Sequence, residues 1–91
     1  MNARLLRISG RVQGVGYRDW LIHEAQRNGI WGWVRNRRDG TVEALLAGEL
    51  DAVQSVLSAC RRGPPLALVE SIDERFADVP SEPGFTRRPT A

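Results

Sequence analysis

Residues 4–28 read RLLRISGRVQGVGYRDWLIHEAQRN, and two different periods meet inside that passage. From Arg4 to Val12 the side chains alternate. Leu6, Ile8, Gly10 and Val12 share one face, and Arg7, Ser9 and Arg11 the other, which is the period of a strand. Glycines at 10, 14 and 16 then punctuate a loop. Tyr17 to Asn28 reads as a helix, with Leu21, Ala25 and Asn28 on one side and Ile22 beside them. Asn28-Gly29 is a good stop for it. The passage is thus a strand, a glycine-rich loop and a helix.

Working outward, Ile30 to Asn36 reads as a second strand, rich in Trp31, Trp33 and Val34. Asp39-Gly40 marks a hairpin turn. Thr41 to Ala47 returns with Val42, Ala44 and Leu46 on one face, and Gly48 ends it. Glu49 to Arg61 reads as a second helix, because Leu50, Val53, Val56, Leu57 and Cys60 keep a 3.6-residue period. Glu49 and Asp51 at its start and Arg61 and Arg62 at its end suit the helix dipole. Gly63-Pro64-Pro65 breaks the chain. Leu68 to Phe76 is a fourth strand, and the three-residue step from Val69 to Ile72 predicts a bulge. Residues 79–91 hold three of the five prolines and read as a tail with a short edge strand near Phe85. The order β-α-β-β-α-β predicts an α+β, ferredoxin-like βαββαβ sandwich: an antiparallel sheet with two helices on one face. One domain is expected over residues 1–91, with a core of about 4–76 and a tail of 77–91.

Composition narrows the function. The chain has 91 residues, of which 42% are hydrophobic and 26% charged, the balance of an ordinary folded domain. No apolar run is long enough for a membrane span, and the first residues carry no apolar leader segment. Cys60 is the one cysteine, so no internal disulfide and no paired-cysteine motif exists, and a reducing, cytoplasmic setting fits. His23 is the one histidine, which makes a zinc site an unfavoured reading. The net charge is only +2, and all 13 basic residues are arginine. Most of these read as solvated surface. Arg35, Arg37 and Arg38 sit together, but Asp39 and Glu43 follow at once, so there is no basic stripe of the kind a nucleic-acid binder shows.

Gly10 to Arg18 is where chemistry is expected. Backbone N–H groups at a helix start are free to bind, and the dipole favours an anion there. Glycines let several N–H groups converge. Arg18, in the first helical turn, can reach back over the loop with a guanidinium fork that matches phosphate oxygens. The loop is not a Walker sequence, since no Gly-Lys-Ser/Thr follows, nor a dinucleotide fingerprint, since Asp19 stands at the third glycine. These residues alone leave a structural turn and an anion site both open. Gly32 to Glu43, taken alone, is a hairpin in which Asn36 closes a strand.

Together the two stretches resemble the acylphosphatase family. The pattern G-x-V-Q-G-V-x-F/Y-R is met at every position from Gly10 to Arg18, with Tyr17 where phenylalanine is commoner. A second pattern, G-W/F/Y-V-x-N-x-x-x-G-x-V with a later glycine, is met by Gly32, Trp33, Val34, Asn36, Gly40, Val42 and Gly48. A third, G-P-P-x-A-x-V, is met by Gly63, Pro64, Pro65, Ala67 and Val69. The resemblance spans about residues 4–76. It implies hydrolysis of acyl phosphates to a carboxylate and inorganic phosphate, with no metal and no cofactor. It implies Arg18 as the phosphate-binding arginine and Asn36 as the residue that positions water. It implies the loop Gln13, Gly14, Val15, Gly16 and Tyr17 as the backbone cradle for phosphate. The expected partners are therefore a small acyl phosphate and inorganic phosphate, with no nucleic acid, no membrane and a monomeric chain.

Other residues invite chemistry less. His23 lies about 140° round the helix from Arg18 and reads as surface. Cys60, on the apolar stripe of the second helix, reads as a buried small hydrophobe. Trp31 and Trp33 share a strand face and read as packing. Asp19 and Glu24 read as dipole partners or solvated acids, and Arg37 and Arg38 as turn-side surface that can steer an anion. Two rivals use the same fold. An RNA-binding module needs aromatics on the third strand, and Thr41 to Ala47 has none; a metal chaperone needs paired cysteines. The alternative that stands is a non-catalytic phosphate or acyl-phosphate-binding module, which turnover distinguishes.

Overall fold

The computed structural model describes all 91 residues. The elements are β1 (Asn2–Arg11), α1 (Tyr17–Arg27), β2 (Trp31–Asn36), β3 (Val42–Gly48), α2 (Leu50–Arg62), β4 (Leu68–Phe76) and β5 (Phe85–Arg87). They build the expected βαββαβ sandwich with a short added strand. The five-stranded sheet runs β4-β1-β3-β2-β5. No helix is long and apolar enough to cross a membrane.

The sheet is mixed rather than wholly antiparallel. β5 pairs parallel to β2, with Gly32 beside Phe85 and Val34 beside Arg87. Gly32 is where β2 lies tightest against its neighbours: a Cβ there would lie 1.8 Å from the Leu45 carbonyl oxygen of β3 and 3.4 Å from Cε2 of Phe85. The segment read as a tail is thus tied down from Phe85 onward. Phe85 is buried, and the Arg88 and Ala91 amides donate to the Val34 and Asn36 carbonyls at 2.9 and 3.0 Å.

The expected bulge falls in β4. Ser9 faces Ser71, but Gly10 faces Val69, leaving Glu70 as the extra residue. Gly10 gives it space, since a Cβ would sit 2.2 Å from the Leu68 carbonyl oxygen.

One core lies between the sheet and the helices. Leu6, Ile8, Val34, Val42 and Leu46 from the strands meet Leu21, Ala25, Val53, Val56 and Cys60 from α1 and α2. Leu50 departs from the sequence reading. It is the first residue of α2 and 42% exposed, whereas Val53, Val56 and Cys60 further along the same stripe are buried. On the other face of the sheet, Ala3, Leu45 and Ala47 form a smaller cluster against Leu5, Trp31 and Trp33. Beside it the buried Glu43 accepts from Arg35 Nε at 2.7 Å and from Arg37 at 3.0 Å, and it faces Arg7 at 3.7 Å.

Candidate functional site

β1 delivers the chain to a loop at the mouth of α1. Val12 is buried at its start and anchors it to the core. Gly16 is the N-cap of α1 and takes left-handed angles, φ 80° and ψ 19°, which side-chain-bearing residues adopt only at a cost. Having no side chain, it leaves the first-turn N–H groups uncapped. Neither at Gly14 nor at Gly16 would a Cβ meet any atom within 4 Å, so the space in front of the loop is open.

That space is a cavity of about 90 Å³, room for several waters or one phosphate-sized group. Gly14, Gly16 and Tyr17 line it from the loop, and Arg18 and Asp19 line it from the first helical turn. Asn36, at the end of β2, and Arg87, at the end of β5, line it as well. The loop and the hairpin therefore bring Arg18 and Asn36 to one cavity, although they are separated by the whole of α1.

The two residues are differently poised. Arg18 takes part in no ion pair. Asn36 Oδ1 is buried and has no hydrogen-bond partner. Such an acceptor is costly unless something else satisfies it. The main chain of Asn36 is fixed by its pairing with Val42 and by the Ala91 amide.

Gln13 and Val15 do not line the cavity. The Gln13 amide instead donates to the carbonyls of Arg37 and Thr41 at 2.7 and 2.9 Å, lashing the loop to the β2–β3 turn. Val15 packs against the core. Tyr17 turns its ring inward, edge-on to Trp20 at 5.3 Å, and its hydroxyl donates to the Cys60 carbonyl at 2.6 Å. Burial pushes the Tyr17 hydroxyl well above its ordinary range, so it stays neutral. Burial likewise pushes the Cys60 thiol up to about 12, which removes it as a nucleophile at neutral pH. His23 is exposed on α1 and away from the cavity. Trp31 and Trp33 pack on the outer face of the sheet, where Trp33 lies under the guanidinium groups of Arg35 and Arg88.

Two further residues of this cavity are Asp19, expected as a dipole partner or solvated acid, and Arg87, which the sequence did not single out. They form an ion pair across its rim, between α1 and β5. The one sequence signal for Arg87 is its place two residues after the buried Phe85, which puts both on the same face of β5.

The arrangement can hold a small anion on backbone N–H groups and one or two guanidiniums, beside an asparagine whose amide oxygen has no partner in the protein. Comparison with known proteins points the same way. The family model described as Acylphosphatase matches residues 5–87. An acylphosphatase of Acidiphilium cryptum is 60% identical over 90 residues, covering 99% of each chain. One of Rhodospirillum rubrum is 50% identical over 90 residues, again covering 99% of each. Among solved structures, the acylphosphatase from Bacillus subtilis superposes with a TM-score of 0.93 at 35% identity, covering 97% of this chain and 99% of that one. Full-length HypF, in a phosphate- and nucleotide-bound form, matches 98% of this chain with 12% of its own length, at a TM-score of 0.90 and 25% identity.

Proposed function

The chain belongs to the acylphosphatase family and is an acyl phosphate hydrolase, and from that premise we propose that Arg18 and the loop backbone at Gly14, Gly16 and Tyr17 hold the phosphoryl group, with Gln13 and Val15 keeping that loop in place, while Asn36 orients the attacking water. The observation that carries this reading is the meeting of an unpaired guanidinium, an uncapped helix start and an orphaned amide oxygen in one small cavity.

An acyl phosphate is a mixed anhydride whose leaving group is a carboxylate. It needs little help from an acid. Phosphoryl transfer then depends on positioning and on stabilising charge in a loose transition state. The N–H groups of Gly16, Tyr17 and Arg18 and the Arg18 fork meet the phosphoryl oxygens as charge shifts toward the leaving group. Asn36 Oδ1 accepts a hydrogen bond from water and aims its lone pair at phosphorus. The water oxygen bonds to phosphorus as the bond to the acyl oxygen breaks, and the carboxylate departs with the electron pair. The water's proton passes to a phosphoryl oxygen or to the departing carboxylate, since an amide cannot take it. The products are a carboxylate and inorganic phosphate. The chain works without a metal on this reading, as a monomer in a cytoplasmic setting that suits its one buried thiol.

Hydrolysis of benzoyl phosphate, followed by loss of ultraviolet absorbance with chelator present, tests it. Arg18→Ala and Asn36→Ala, each shown by circular dichroism to be folded, should lose about a hundred- to a thousandfold in rate. Full activity in either folded variant overturns its assigned role. A folded natural chain that binds phosphate without turnover would instead be the binding module.

A further inference from the structure

Two cationic side chains, Arg18 and Arg87, line the cavity, one from α1 and one from β5. Arg87 is held at the rim by Asp19, the residue directly after Arg18. The pair is wet: the Arg87 side chain is 44% exposed and that of Asp19 is 72% exposed. Ion pairs this open contribute little to folding. Its placement is therefore better explained by what enters the cavity than by what holds the sheet together.

The charge count is informative. Arg18 and Arg87 supply two positive charges and Asp19 removes one, leaving +1 at a cavity suited to a phosphoryl dianion. Asp19 also stands in the first turn of α1, where its carboxylate competes with an incoming anion for the same helix start. An anion that enters the cavity thus meets a second guanidinium already engaged by a rival carboxylate.

We propose that Arg87 is a second anion-binding residue of this site and that Asp19 moderates it, so that the pair sets how tightly phosphoryl groups are held and how readily inorganic phosphate leaves. The inference rests on the reading of the cavity as the phosphoryl site. Arg87 draws the dianion in; Asp19 takes the guanidinium back when product departs. The two residues should therefore act with opposite sign on affinity.

The test uses the full chain with benzoyl phosphate as substrate and inorganic phosphate as competitive inhibitor. Arg87→Gln should raise both KM and the inhibition constant of phosphate by about five- to twentyfold, with a smaller change in kcat. Asp19→Asn should lower both constants by a comparable factor, and raising the salt from about 0.05 to 0.5 M should shrink both effects. Arg87→Lys, which keeps the charge and loses the fork, should fall between. Unchanged KM and phosphate inhibition in folded Arg87→Gln, or a fall in kcat that outweighs the rise in KM, overturns the proposal. So does an Asp19→Asn variant that weakens phosphate. Arg18→Ala, assayed alongside, separates the failures: if it keeps full activity the phosphoryl-site reading itself fails, whatever Arg87 does.

Discussion

The side-chain amide of Gln13 donates a 2.7 Å hydrogen bond to the carbonyl of Arg37, the residue that follows Asn36. A second bond from the same nitrogen reaches Thr41 at 2.9 Å. The loop that leads into α1 and the end of β2 are thereby tied together. Gln13→Ala should cut kcat about tenfold while lowering stability by only about 1–2 kcal/mol, the cost of two part-buried carbonyls losing a donor. Steady-state kinetics beside a urea melt would check it. A variant with unchanged kcat would show that the loop holds its place without the brace.

Tyr17 ties α1 to α2 through its bond to the Cys60 carbonyl. Tyr17→Phe keeps the ring and removes the donor. The midpoint in urea should drop by an amount equivalent to about 1–2 kcal/mol. An unchanged midpoint would mean that water enters to satisfy Cys60.

Gly32 has φ +138° and no room for a Cβ, which would lie 1.8 Å from a backbone oxygen of β3. Gly32→Ala combines strain with a clash that no side-chain rotation relieves. The expected loss is at least about 3 kcal/mol, and the edge toward β5 should loosen as Gly32 is pushed off Leu45, because the Gly32 amide donates to the Gly84 carbonyl. Hydrogen exchange of the Gly32 and Arg88 amides, which bond across that edge, reads it directly.

Glu43 gives stability a pH dependence. Burial pushes its carboxyl up, but hydrogen bonds and charge from Arg35 and Arg37 outweigh this and hold it below its ordinary 4.5. A carboxylate whose folded value is depressed contributes stability above its unfolded value and loses it as pH falls through the folded one. Glu43→Gln should therefore cost about 2–3 kcal/mol at pH 7, since it strands the surrounding arginines. The gap between variant and natural chain should narrow below about pH 4.5. Denaturation midpoints at pH 7 and 3.5 would show it, and a gap of constant size would deny Glu43 that role.

Much of this molecule is written in local periods. The alternation from Leu6 to Val12 and the helical stripe through Val53, Val56 and Cys60 each state which face is buried, and the structure buries those faces. The step from Val69 to Ile72 announces the bulge because one extra residue must reset the alternation. Arg18 and Asn36 are legible through the glycines and the family pattern around them. Leu50 is misread because a period does not tell that the first residue of a helix stays open to solvent. The parallel pairing of β5 is hidden because it depends on one buried side chain meeting one bare backbone, Phe85 on Gly32. The Asp19–Arg87 pair joins residues 68 apart, and nothing local to either predicts the other. Gln13 is legible as part of the loop but not as a brace, since its partners are carbonyls that every residue carries.

β4 forms an outer rim of the sheet and lies open along most of its length, with Leu68 67% and Phe76 84% exposed. A rim of that kind is an invitation to a second copy. Yet two copies meeting antiparallel about Ile72 would set Glu70 against Glu74 twice over, and the extra residue at Glu70 breaks the row of amides and carbonyls that a newcomer would need. The fold thus polices its own crowding: the irregularity that relieves β1 at Gly10 also discourages the sheet from growing into a ribbon.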